Sequence, residues 1–404
     1  MPRSLHFVLI ATLWTAPAPA DEWPQFRGPD GDGHASQRGL PLSWSETENV
    51  VWKAPVPGLG WSSPVIRGDQ LWLTTAMDEG HSLRAVCMDA ASGQIVHDVE
   101  VFHADNPGSV HKKNSHASPT PILEGDRVYV HFGDNGTACL ASDGTIVWQT
   151  NDLKYAHGHG PAGSPVLYED LLIASCDGTD VQFVVALDKN TGSVRWKTDR
   201  KGAMAYSTPL VIRVGDRDQL VSTGGEWVMA YDPQTGAEIW RARYPSGYSN
   251  VPRPVFGHGL VFVASGYDTP WIYAIRPDGT GDVTDTHVAW KLQKGAPRNA
   301  SPLIVGDELY LVDDQGIASG LDAATGEQRW QKRLPGNYSA SPLFADGRIY
   351  LTNETGMTTV IAPGRKFKEL AANTVDGDTL ASLAVAGRAI YLRTNSHLYR
   401  IEKP

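Results

Sequence analysis

Apolar and polar positions along this chain recur as a unit. Each unit opens on Ser-Pro or a variant of it, at Pro64, Pro121, Pro165, Pro209, Pro254, Pro302 and Pro342, with Leu383 in the last slot. A short apolar stretch follows, then a turn such as Gly306-Asp307. An alternating run comes next: Leu309-Tyr310-Leu311, Ile349-Tyr350-Leu351, Ile390-Tyr391-Leu392. β-Branched and aromatic residues at a period of two predict strands. A further apolar run leads to an Asp-x-x-Thr-Gly turn at 188–192, 232–236 and 322–326. Glycine there allows the positive φ of a tight hairpin. The closing strand carries tryptophan four residues after that glycine, at Trp148, Trp196, Trp240 and Trp330. Trp290 holds the slot after an insertion at 281–286, and His97 and Phe367 hold it in units one and seven. A large flat ring recurring at one place is read as packing between neighbouring sheets, in preference to ligand stacking.

The mean spacing of the units is about 46 residues, the length of a four-stranded propeller blade. The last unit lacks an outer strand. Segment 49–53, with Trp52, has the look of that missing piece. The expected fold is all-β: an eight-bladed β-propeller of four-stranded antiparallel blades, its ring closed by an N-terminal strand. The expected division is a signal peptide at 1–20, an N-terminal arm at 21–48 draped on the ring, and the propeller at 49–404. The signal is read from Arg3, a short apolar stretch, and Ala18-Pro19-Ala20 before a cut near Ala20. That places the protein in the periplasm or outside the cell.

Composition narrows the partners. Of 404 residues, 41% are apolar and 20% charged, with a net charge of −10 and no basic block, so nucleic acid is not an expected partner. No apolar run after the N-terminus is long enough to span a membrane. Cys87, Cys139 and Cys176 are read as buried thiols, and the absence of a CxxC leaves thiol redox chemistry unsupported.

The Ala/Ser-Pro opening and the Asp-x-x-Thr-Gly-x-x-x-Trp close resemble the pyrroloquinoline-quinone-like propeller repeat. It is shared by quinoprotein dehydrogenases and by the B component of the outer-membrane assembly machinery. The segment Trp-Pro-Gln-Phe-Arg-Gly-Pro-Asp-Gly-Asp-Gly from Trp23 resembles the start of exported propellers of planctomycete type. The resemblance implies the architecture. It also brings in pyrroloquinoline quinone with calcium as a cofactor, but no positions here match the metal ligands or catalytic aspartate of the dehydrogenases, and no cofactor is expected.

A propeller gathers two sets of loops on one face. The loops entering the innermost strands hold Trp61, His116, His157, His159, Tyr206, Tyr248, Asn250, Arg253, Arg298, Asn299 and Tyr338. The loops joining second and third strands hold acidic and amide groups that include Asp134, Asp177, Asp268, Asp314 and Glu354. Converging on one funnel, they form the candidate site. A long loop before Pro121 adds His103, His111, Lys112 and Lys113, as either a functional element or a surface decoration. The His-Gly-His-Gly stretch at 157–160 invites a metal, but a Gly-rich loop need not make its imidazoles converge, and none is assigned.

Two classes of function follow. The first is a binding or scaffold module, acting as a monomer, whose polar funnel holds a protein or a glycan. The second is an enzyme. One form is a uronate lyase with His159 or Tyr206 as base and Arg298 or Arg253 as the cation; the other is a quinone-dependent oxidoreductase. The binding module is preferred because no recognisable catalytic set is present.

Overall fold

The first seven repeats each form the four strands that their pattern predicts, and the last forms three. In blade three these are Val166–Tyr168, Leu171–Asp177, Gln182–Asp188 and Val194–Asp199, antiparallel and in chain order from the centre outward. Middle strands are covered on both faces and read as continuous apolar runs; Leu260–Ser265 of blade five is buried throughout. Outer strands face solvent on one side, so Val194–Asp199 keeps a visible alternation. The computed structural model describes residues 22–245 and 247–403, and the expected export signal lies outside them. Eight sheets result.

The eighth is completed as expected. Val50–Pro55 pairs antiparallel with His397–Ile401, Lys53 opposite Tyr399 and Ala54 opposite Leu398. Two sheets gain a fifth, parallel strand. The insertion supplies Gly281–Asp282, which lies along the outer strand Glu238–Arg243 of blade four. His34–Ala35 lies along the innermost strand Leu343–Ala345 of blade seven.

The repeated Ser-Pro has a specific use. Around most of the ring, the hydroxyl in this slot accepts the backbone N–H of its counterpart one blade earlier. Ser63 donates to Thr120, Thr120 to Ser164, Ser164 to Thr208, Ser301 to Ser341 and Ser341 to Ser382, all at 2.9–3.0 Å. Proline provides no N–H of its own, so the preceding residue carries the link. Blade eight joins blade one differently: the buried Arg393 Nη1 donates to Ser62 O at 3.1 Å, Ser62 Oγ at 2.6 Å and Thr74 O at 2.9 Å.

Tryptophan makes the second inter-blade link. Trp148 Nε1 donates to Lys189 O at 2.9 Å, Trp196 to Pro233 O at 3.0 Å, Trp290 to Ala323 O at 3.1 Å, and Trp52 to Ala90 O at 3.3 Å. Each acceptor lies in the next blade's Asp-x-x-Thr-Gly turn or its counterpart. The turn glycine is demanded twice over: Gly236 has φ +72°, and a Cβ there would stand 2.5 Å from the Trp196 ring. Gly236→Ala is therefore expected to cost about 2–3 kcal/mol in chemical denaturation. A variant with an unshifted midpoint would remove the packing role assigned to that turn.

The arm does more than rest on the ring. Trp23 exchanges backbone bonds with Ile66 of blade one, Leu123 N–H of blade two donates to Pro24 O, and Phe344 N–H of blade seven donates to Gly33 O. These partners lie on innermost strands around the circle, so residues 23–33 fill the central channel. Leu40 and Trp44 then pack among blades seven, eight and one, and lead the chain outward to Val50–Pro55.

The three cysteines are buried and unpaired, and burial pushes Cys87 up to about 12 and Cys139 to about 11. They are packing groups. No helix among the described residues is long and apolar enough to cross a membrane.

Candidate functional site

The loops meet in a cavity of about 500 Å³. Blades three to six contribute His159, Tyr206, Tyr248, Tyr267, Arg298, Asn299 and Asp314, and the long loop contributes His111, Lys112 and Lys113. Beneath it a narrower space of about 110 Å³ continues toward the axis, edged by Trp61 and the hydroxyls of Ser164, Thr208, Ser301, Ser341 and Ser382. Phe26 of the arm also lines it. The funnel therefore ends on the plug.

Six of the eleven residues expected from the entering loops face these spaces: His159, Tyr206, Tyr248, Arg298 and Asn299 in the upper cavity, and Trp61 with Tyr206 and Asn299 below. The other five are placed elsewhere. Asn250 donates to Gly224 O at 2.6 Å and to the Tyr244 hydroxyl at 2.8 Å, and accepts Gly266 N–H, which locks the loop. Tyr338 is fully buried in the core between blades six and seven. His116 turns aside to Gly108 O, 3.0 Å away, and lines a separate pocket with Leu59 and Met77. His157 is buried against Asp134, Nε2 to Oδ1 2.7 Å. Burial works against its charge, and Asp134 overrides that and raises its pKa. His157 is thus engaged by a carboxylate, and no group of three or more His, Cys, Asp or Glu side chains among the described residues is arranged for a metal ion.

Arg253 is the most instructive displacement. It stands where the repeat has serine or threonine. Its Nη1 donates to Phe26 O at 2.9 Å and Gly31 O at 3.0 Å, and its Nε to Pro209 O at 3.1 Å. It binds the arm, and only Arg298 of the two expected cations faces the cavity.

The cavity walls are preorganised. Arg298 lies over the Tyr267 ring, 5.4 Å from its centre, and its Nε donates to Tyr267 O at 2.6 Å. Its backbone N–H donates to Asp314 Oδ2 at 2.8 Å, and the Asn299 amide donates to Oδ1. Burial pushes the Asp314 carboxyl up. The rings of His159 and Tyr206 are 6.0 Å apart, and those of His111 and His159 5.5 Å apart. Burial lifts the Tyr206 phenol to about 12, and its hydroxyl donates to Met204 Sδ at 3.4 Å. Burial lowers the pKa of His111, with His159, Lys112 and Lys113 acting the same way.

The long loop, 104–121, is a strap. On one side His111 N–H donates to His159 O at 3.1 Å, and the Asn114 amide donates to the same oxygen at 2.8 Å. On the other, Lys113 Nζ donates to Glu354 of blade seven at 2.7 Å. Blades three and seven stand four apart in a ring of eight, so the strap crosses the mouth along a diameter. Sequence reasoning did not single out Tyr267 or Phe26. Tyr267 sits beside Asp268, which was in the expected loop set; nothing in the repeat marks Phe26, because the arm lies outside it.

The chain is similar to proteins of known kinds. Residues 43–208 and 180–403 match the family described as outer membrane protein assembly factor BamB. BamB of Alkalilimnicola ehrlichii is 30% identical over 203 residues, covering 46% of this chain and 51% of that protein. Tetrathionate hydrolase of Acidithiobacillus ferrooxidans is 25% identical over 335 residues, covering 79% and 56%. The chain thus spans about half the length of these relatives. The quinohemoprotein alcohol dehydrogenase of Comamonas testosteroni shares the fold, with a TM-score of 0.71 at 10% identity over 95% of this chain and 81% of that one. The repeat, the eight closed sheets and a family match running through nearly the whole ring agree: this chain belongs to the BamB family of propellers.

Proposed function

We propose that the protein is an exported binding module, acting as a monomer, whose funnel holds an acidic saccharide. One observation carries this reading: a protein of net charge −10 lines its main cavity with Lys112, Lys113 and Arg298, with the imidazoles of His111 and His159 beside them, while Asp314 is the one carboxylate among the described lining residues. Such a reversal of sign draws and holds anions. Tyr206, Tyr248 and Tyr267 offer flat faces for sugar rings, and Asn114, Asn299, Asn337 and Gln315 suit hydroxyl groups. A peptide would need apolar pockets for its side chains, and among the described residues Ala162 and Val251 are the only aliphatic lining.

The quinone with calcium suits the same funnel poorly. Both Asp314 oxygens are already engaged, and the surrounding cations oppose a divalent metal. The lyase reading loses Arg253 to the arm, keeps His159 and Arg298 only as cavity lining, and has no comparable support.

Calorimetric titration tests the proposal. A galacturonic acid trimer is expected to bind, and a neutral hexose trimer and triglutamate to bind far more weakly. Arg298→Ala is expected to weaken the acidic trimer about tenfold, the scale of one charged hydrogen bond. Equal binding of the neutral trimer, or none of the acidic one, would reject this reading. Pyrroloquinoline quinone with calcium is the comparison ligand, and a shift in its absorbance would favour the oxidoreductase instead.

A further inference from the structure

Lys113 and Ser339 meet on one carboxylate oxygen. Lys113 Nζ, from the strap, donates to Glu354 Oε1 at 2.7 Å, and the Ser339 hydroxyl donates to the same atom at 2.6 Å. Glu354 is held in place from both sides by its own backbone, since its N–H donates to Asn337 O and its carbonyl accepts Thr379 N–H, at 2.8 and 2.9 Å. The Glu354 side chain is only 18% exposed and that of Lys113 33%. Lys113 lines both the upper cavity and the space beneath it, and Ser339 lines the lower one. An ammonium and a hydroxyl converging at the throat of a cationic funnel make a carboxylate subsite. The protein's own side chain occupies it.

We infer that Glu354 is an internal competitor: its carboxylate takes the place at Lys113 and Ser339 that a carboxylate of the bound ligand takes when it enters. The inference rests on the proposed reading of the funnel and adds a regulatory element to it. Three consequences follow from the geometry. The incoming carboxylate exchanges one ion pair for another, so Lys113 loses no partner on binding. The strap stays anchored at His159 through His111 and Asn114 while its other end changes partner. Apparent affinity is reduced by the fraction of molecules in which Glu354 holds the subsite.

The test uses the full mature chain and the galacturonic acid trimer. Glu354→Gln removes the competing charge and keeps the side-chain length and the backbone bonds. It is expected to tighten binding about fivefold or more, within the range an ion pair of this exposure spans. Lys113→Met is expected to weaken binding, and to erase the gain when combined with Glu354→Gln. Should Glu354→Gln not fold, Glu354→Asp withdraws the carboxylate by one methylene and makes the same comparison. Wild type that binds the trimer with the expected Arg298 dependence, while Glu354→Gln leaves the affinity within twofold or weaker, overturns the competitor and leaves the funnel reading standing. Wild type that does not bind the trimer overturns both.

Discussion

Replacing Val50–Pro55 with glycine and serine is expected to unfold the ring or lower its stability by about 5 kcal/mol or more. The strand follows the arm and completes the sheet built from the last repeat. Without it, His397–Ile401 presents a row of unpaired backbone groups at an open edge. Trp52 leaves too, and with it the bond to Ala90 O and the ring packed over Gly93 of blade one. Loss of a packed tryptophan alone costs about 3–5 kcal/mol. The hydroxyl links cannot compensate, because the junction of blades eight and one relies on Arg393 in place of the serine relay. Thermal melting with light scattering measures the outcome. A soluble variant with the wild-type midpoint would mean that the ring does not depend on this closure.

Arg253→Ala is expected to cost about 3 kcal/mol and to release the arm. Burial draws the Arg253 guanidinium down to about 9, with Arg27 acting in the same direction and Asp32 against it, a sign of how costly the buried charge is. What offsets that cost is the set of carbonyls at Phe26, Gly31 and Pro209. Truncation leaves all three acceptors short of a donor inside the protein. Gly31 leaves no other arrangement, since a Cβ there would fall 2.0 Å from Arg253 Nη1. Arg253→Ser separates two roles: it restores a hydroxyl positioned to accept Thr208 N–H but does not hold the arm. It should recover part of the stability and none of the protection of residues 23–33 from protease. If Arg253→Ala leaves that segment as resistant as in wild type, the arginine is not what retains the plug.

The repeat made the ring legible because its physics is local and periodic. Tryptophan, the turn glycine and the hydroxyl before proline each serve a contact made at every junction, so each recurs at a fixed offset. The site is legible only as loop membership. Asn250, Tyr338 and Trp61 all sit in entering loops, yet the first two turn inward to backbone or core and the third faces the channel. Direction depends on the neighbouring blade, which a period does not encode. Departures from the repeat carry information of their own. Arginine in the serine slot at 253 marks a position released from the relay for another use. The strap's length was visible, but its anchors at His159 and Glu354 lie 45 and 241 residues from their partners.

The plug also sets how a polymer can engage. With the axis stopped by Phe26 and its neighbours, nothing can be threaded from one side of the disc to the other. On the proposed reading, a long polysaccharide must offer a free terminus or a kink, arriving and departing on the strap's face of the disc. Fragments that expose more ends per unit mass should then outcompete the parent polymer.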